Sequence, residues 1–209
     1  RTHFNLLADA EVTLETNPGA VGREGLAHLR KIGVNRLNIG VQSFRDDALH
    51  FLGRIHNRAE ACAVIDQARA AGFDNLGVDL IYGLPGQTMS DWLSDLEQAL
   101  HYRPEHLSCY MLTYESGTPL DRLRRRDRLT PLSEDRVAAL FRMTIGYLKQ
   151  SGFLHYEISN FAASPHRMSR HNHKYCNFLP YIGLGPSAHT YRPPTRRWNR
   201  SDVAAYVRD

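Results

Sequence analysis

Four short runs rich in β-branched and aromatic residues alternate with helix-length amphipathic stretches, and this alternation limits the fold more than any other feature. The runs are residues 11–15 (EVTLE), 36–42 (RLNIGVQ), 75–82 (NLGVDLIY) and 106–113 (HLSCYMLT), with starts 25, 39 and 31 residues apart. Each gap holds one helical pattern. The first covers 23–32, with Leu26, Leu29 and Ile32 on one face and Gly33 after its end. The second covers 59–71, with Cys62, Ile65 and Ala68 at helical spacing and Gly72 closing it. The third covers 90–100, with Ser90 as N-cap, an apolar stripe of Trp92, Leu93, Leu96 and Leu100, and Pro104 beyond. One helix between successive strands requires parallel pairing through right-handed crossovers, which predicts an α/β fold.

A fourth helix fits 133–150, capped by Ser133, with Val137, Leu140, Phe141, Thr144 and Leu148 on its apolar stripe and Gly152 at its end. The tail that follows is glycine-rich around Tyr181–His189 but lacks the lysine of a phosphate loop. These patterns divide the chain into a βα region, 1–130, and a smaller α+β region, 131–209.

Composition excludes several classes. With 42% hydrophobic and 23% charged residues, the 209-residue chain can bury a core, so extended disorder is not expected. No window approaches the roughly 18 apolar residues of a spanning helix, and no signal peptide is visible. That predicts a cytoplasmic protein and leaves peripheral membrane contact open. Cys62, Cys109 and Cys176 are scattered, so neither a disulfide framework nor a zinc knuckle fits. The net charge of +4 is carried mainly by arginine, densest at Arg122, Arg124, Arg125, Arg126 and Arg128. No aromatic residues interleave with that cluster, so it reads as a solvated, partly helical connection and nucleic acid is not expected. The sequence opens at Arg1, which reads as a piece of a longer protein.

Sites in parallel α/β folds form at the carboxyl ends of the strands. Glu15 ends the first run and Gln42 the second, while Asp79 interrupts the apolar third. Burial of Asp79 demands a partner: a ligand cation, Arg54, or a structural contact. The turns Asn17-Pro18-Gly19 and Gly83-Leu84-Pro85-Gly86 would let a ligand approach the backbone. Together these features predict a site at the mouth of a barrel.

Longer motifs carry a resemblance. Glu11-Val-Thr-Leu-Glu-Thr-Asn-Pro-Gly19, Gly33-Val-Asn-Arg-Leu-Asn-Ile-Gly-Val-Gln-Ser-Phe44, Leu52-Gly-Arg-Ile-His56 and Val78-Asp-Leu-Ile-Tyr-Gly-Leu-Pro-Gly-Gln-Thr88 resemble radical S-adenosylmethionine (SAM) proteins of the oxygen-independent coproporphyrinogen III oxidase group. Within it, Gly152-Phe-Leu-His-Tyr-Glu-Ile-Ser-Asn-Phe-Ala162 and His171-Asn-His-Lys-Tyr175 are similar to HemW-type haem chaperones. The resemblance implies a partial (β/α)6 barrel lacking its first two βα units, followed by a smaller α+β C-terminal region. It implies SAM as cofactor, with Glu15, Gln42, Arg54 and Asp79 lining its site and Arg54 opposite Asp79.

The family's [4Fe-4S] cluster is held by CxxxCxxC, which this sequence does not contain, so the cluster is expected only in a full-length protein. No residue of this chain is assigned to it, and the chain alone is not expected to be catalytic. The haem-chaperone branch implies haem or porphyrin as ligand, haem-recipient proteins as partners, and His171 as haem ligand. His173 is a weaker substitute, and His189 is read as structural. Cys176 stands where the family usually has Trp. An oxidase and a non-catalytic haem-binding module are the alternatives.

Overall fold

The computed structural model describes residues 5–208 of the chain. Arg1 and Asp209, at the outer ends of the two expected regions, lie outside the described residues. Two compact units are present, Arg1–Met168 and Ser169–Asp209.

The first unit is built on one six-stranded sheet. Strands β1 (Thr13–Thr16), β2 (Arg36–Gln42), β3 (Leu76–Tyr82) and β4 (His106–Met111) are parallel neighbours in chain order. Helix α1 (Arg23–Lys31) joins β1 to β2, α2 (Asp46–Phe51) and α3 (Arg58–Ala70) join β2 to β3, and α4 (Met89–His101) joins β3 to β4. The expected parallel α/β order is therefore present. The sequence reading did not separate α2 as a helix.

Helix α4 starts at Thr88, not at the expected Ser90. Thr88 Oγ1 accepts from the Asp91 N–H while the Asp91 carboxylate accepts from the Thr88 N–H. A cap at Ser90 would place Leu93 three residues on, where no side-chain acceptor exists. The same reciprocal pair, Asn57 with Glu60, starts α3.

Beyond β4 come α5 (Pro119–Arg125), α6 (Glu134–Gln150), β5 (Leu154–His155) and β6 (Asn160–Ala162). Strand β6 pairs antiparallel with β4, and β5 with β6. These elements belong to the first compact unit, which ends at Met168. Helix α6 packs its Leu140, Thr144 and Leu148 face into the same core, and Trp92 Nε1–H on α4 donates to Thr144 Oγ1 at 2.7 Å. The arginine cluster does lie partly on a helix, and buried Asp121 pairs with both Arg124 and Arg125.

The second unit holds α7 (Arg170–Cys176), a hairpin of β7 (His189–Arg192) and β8 (Thr195–Trp198), and α8 (Val203–Arg208). Among the described residues, no helix is long and apolar enough to cross a membrane.

Candidate functional site: a polar sheet face and an exposed histidine

Strand alternation gives the sheet two unlike faces. Leu37, Ile39, Val41, Leu76, Val78, Leu80, Leu107, Cys109 and Phe161 are buried in the core with residues of α1, α3, α4 and α6. The opposite face is polar. Register aligns Glu15 with Asn38, Asn38 with Gly77, Asp79 with Ser108, and Ser108 with Asn160. Arg36, Asn38, His106, Ser108 and Asn160 are all buried there. A barrel interior is ordinarily filled by branched aliphatic side chains, so this density of polar groups marks a face that must be satisfied by something other than packing.

Asp79 is its centre. The Asn38 Nδ2–H donates to Asp79 Oδ2 at 2.6 Å. Burial pushes the Asp79 carboxyl up to about 6, against the lowering effects of Ser108, Asn38 and Arg36, and Glu15 pushes it further up. Asp79 Oδ1, Asn38 Oδ1 and the Nε and Nη2 of Arg36 are buried with no hydrogen-bond partner. His106 is held neutral, its pKa lowered to about 3 by burial and by Arg36, and its Nε2 is 2.7 Å from the Tyr156 hydroxyl. Gly77 makes the packing of this face feasible, because a Cβ there would stand 2.1 Å from Asn38 Oδ1.

At the carboxyl end of β2 a bulge between Ile39 and Gln42 leaves Gln42 at φ 70°. A Cβ on Gly40 would stand 2.7 Å from Asn17 Oδ1 and 2.8 Å from Gln42 Nε2, so both carboxamides lie over this glycine. Arg54 Nη1–H donates to the same Asn17 Oδ1 at 3.4 Å. The expected residues thus fall into two groups, Glu15 with Asp79 around Asn38, and Gln42 over Gly40 beside Asn17, to which Arg54 donates. The expected pairing of Arg54 with Asp79 is not present. The cation acting on Asp79 is Arg36, brought beneath it by the two-residue alternation along β2.

The loops that frame this end are pinned from the helix side. Buried Asp95 on α4 accepts from the Phe44 N–H at 2.7 Å and from Ser43 Oγ. Gln87 Oε1 accepts from the Gly83 N–H at 2.7 Å, closing the Gly83–Gly86 turn.

In the second unit, His171 is exposed on α7, which Ser169 caps. The Tyr175 hydroxyl is 2.9 Å from His171 Nε2, with the rings edge-on. His173 and Cys176 are exposed on the same helix. His189 lies on β7, opposite Trp198 of β8. The three cysteines stand on three different elements, and among the described residues no three His, Cys, Asp or Glu side chains converge on a metal position. A [4Fe-4S] cluster does not fit the residues of this chain.

Residues 3–99, the stretch that carries β1 to β3 with Glu15, Asn38 and Asp79, match the family model of the Radical SAM superfamily. The chain belongs to the radical SAM superfamily. It is 40% identical over 205 residues to the heme chaperone HemW of Synechocystis, an alignment covering 93% of this chain and 48% of that protein. Against the heme chaperone HemW of Bacillus subtilis the identity is 36%, covering 95% of this chain and 52% of the relative. The chain spans about half the length of the curated relatives it matches. Among solved structures, coproporphyrinogen III oxidase (HemN) from Escherichia coli, a radical SAM enzyme, shares the fold with a TM-score of 0.79 at 24% identity, over 99% of this chain and 50% of that one. The mostly parallel α/β sheet is the radical SAM fold.

The sequence reading did not single out Arg36, Asn38, Ser108, His106 or Asn160 as site residues. Their signal was present as alternation, since Arg36 and Asn38 interleave with Leu37 and Ile39 along the second run. Asn17 was read only as part of a turn. Its hydrogen bond with Arg54 is a contact 37 residues apart in sequence.

Proposed function

We propose that the polar sheet face binds SAM and that α7 presents a haem ligand, so that the chain contributes both functions to a haem chaperone of the HemW type, delivering haem to recipient proteins. The observation that carries the SAM half is the Glu15–Asn38–Asp79 arrangement. It offers buried, partnerless acceptors on Asn38 and Asp79, suited to ribose hydroxyls and a cationic amino group. Glu15 and Asp79 bind and orient, Gln42 and the Arg54–Asn17 pair flank the mouth, and Asn38 fixes the Asp79 carboxylate. SAM, when bound, supplies the adenosyl group whose radical chemistry characterises the superfamily. The cluster has no ligand set in this chain, so the role assigned to these residues is binding.

The haem half rests on His171, an exposed imidazole on a short helix, with its ring oriented by Tyr175. Neutral imidazole is a common axial ligand of haem iron, and a neighbouring hydrogen bond fixes its orientation. The oxidase alternative draws on a likeness at the level of fold alone.

Two titrations test these assignments. Asp79→Ala should weaken SAM binding measured by calorimetry at least about tenfold, the loss expected when a charge-assisted hydrogen bond is removed. Unaltered affinity removes Asp79 from the site. Haemin titrated into the chain should give a Soret shift that His171→Ala abolishes, and a shift retained in that variant rejects His171 as the ligand.

A further inference from the structure

Gln42 is held in an unusual geometry from both sides by side chains that the site does not otherwise use. From Ile39 to Gln42 strand β2 takes three steps while β3 takes two, from Val78 to Leu80, so β2 accommodates one extra residue. Gln42 then sits at φ 70°, a left-handed conformation that strains any residue with a Cβ. Glycine would adopt it freely. A glutamine kept there, with its carboxamide over Gly40 beside Asn17, points to a use for that side chain rather than for the turn.

The first anchor is His56, which is buried, with its Nε2 3.1 Å from the carbonyl oxygen of Val41. A carbonyl only accepts, so this nitrogen carries the hydrogen. His56 lies in the segment after α2 whose Arg54 donates to Asn17, so one short segment reaches both the bulge and the carboxamide beside it. The second anchor is Asp95 on α4. Its Oδ1 accepts from the Phe44 N–H at 2.7 Å, and Ser43 Oγ donates to its Oδ2 at 2.8 Å. Ser43, itself buried, accepts in turn from the Arg45 N–H at 3.1 Å. Asp95 shares the buried face of α4 with Trp92, Leu96 and Ala99, where an apolar side chain would pack without the cost of desolvating a charge. The core does not call for a carboxylate there. The main chain after Gln42 does.

We propose that His56 and Asp95 are positioning residues of the SAM site, gripping the main chain on either side of Gln42 so that its carboxamide is presented at the mouth. The inference rests on the reading of the polar face as a SAM site. Both residues act through Gln42 and neither is assigned a contact with the ligand.

SAM titrated calorimetrically into the chain and its variants tests this. His56→Leu and Asp95→Leu each remove an anchor and should weaken SAM binding about fivefold to tenfold. His56→Gln keeps an N–H donor for the Val41 carbonyl and should bind within about twofold of the parent. Ser43→Ala removes only the hydroxyl of the second anchor and should weaken binding about threefold, which keeps that anchor testable if Asp95→Leu does not fold. Melting temperatures show which variants are folded during the titration. The decisive comparison is made in a Gln42→Gly background, which relieves the strain and removes the carboxamide. SAM binding should fall once there, and adding His56→Leu or Asp95→Leu should lower it by less than about twofold more. A merely structural role gives the same loss in both backgrounds.

Equal losses in the two backgrounds, or unchanged affinity in both His56→Leu and Ser43→Ala, overturn the proposal and leave the SAM reading standing. Parent-like affinity in Gln42→Gly overturns it as well, because the residue being positioned is then idle. Absence of saturable SAM binding in the parent rejects the SAM reading and the proposal together. Unaltered binding in Asp79→Ala, with coupled losses at Gln42 and His56, rejects Asp79 and keeps the anchors.

Discussion

Toward the helices, β2 presents Leu37, Ile39 and Val41, and toward the other side it presents Arg36, Asn38 and the glycine that Gln42 leans over. The two faces share every backbone hydrogen bond of the sheet, so their difference is one of side chains alone. The apolar face is satisfied by packing within the chain. The polar face keeps buried atoms without partners on Arg36, Asn38, Asp79, His106 and Asn160. One face therefore accounts for the fold, and the other is organised for something the fold does not itself require. The largest expected effect separates the two. Trp92 is fully buried on the helix side and hydrogen-bonded to Thr144. Trp92→Ala should cost about 3–5 kcal/mol of unfolding free energy in urea denaturation. A loss below about 1 kcal/mol would mean that the helix-side packing does not hold the sheet.

The polar face should answer to pH. The folded Asp79 carboxyl titrates near 6 against an ordinary value of 3.8, so the folded state holds its proton more tightly than the unfolded chain. The sign follows: this group contributes stability below pH 4 that is lost as pH rises through about 6. The loss amounts to as much as about 3 kcal/mol. His106 acts in the opposite sense, because its folded pKa is depressed to about 3 and its contribution is lost as pH falls from about 6.5. The informative quantity is therefore the difference between Asp79→Asn and the parent, which cancels His106. The variant should gain on the parent between pH 4 and pH 7, and a constant difference across that window refutes the burial of a titrating Asp79.

A smaller effect comes from the backbone of the polar face. Gly77→Ala puts a methyl group where the Asn38 carboxamide lies. It should cost about 1–3 kcal/mol by overpacking and weaken SAM binding together with Asp79→Ala, because Asn38 can no longer hold Asp79. Lost stability with intact SAM binding would uncouple Asn38 from the site.

Much of this was readable in advance, and what was missed has a physical reason. The βα alternation located all four parallel strands, because buried parallel strands are short apolar runs and each crossover needs its own helix. Thr88 was missed as a cap because only the reciprocal bond with Asp91 sets it above Ser90. Strand β6 was missed because three residues, Asn160–Ala162, carry too little periodicity, and their pairing with β4 is a contact about fifty residues distant in sequence. Glu15, Gln42 and Asp79 were legible as strand-end polar groups. The partner of Asp79 was not, since Arg54 and Arg36 are equally plausible cations in sequence and only the register places Arg36 on that face.

Arg36 gives the smallest expected effect on stability and the sharpest test of how the two faces differ. It is 3% exposed, forms no ion pair among the described residues and leaves Nε and Nη2 unpartnered. A buried cation without a paired carboxylate is a cost that hydrophobic replacement can relieve, so Arg36→Met should change stability by no more than about 1 kcal/mol in either direction at neutral pH. The same change removes the cation that lowers Asp79 and the like charge that lowers His106. Both groups should then titrate higher, which chemical-shift titration can follow residue by residue. A loss of several kcal/mol with both titrations unmoved would place Arg36 among the residues that hold the sheet together, on the same footing as Trp92 across it.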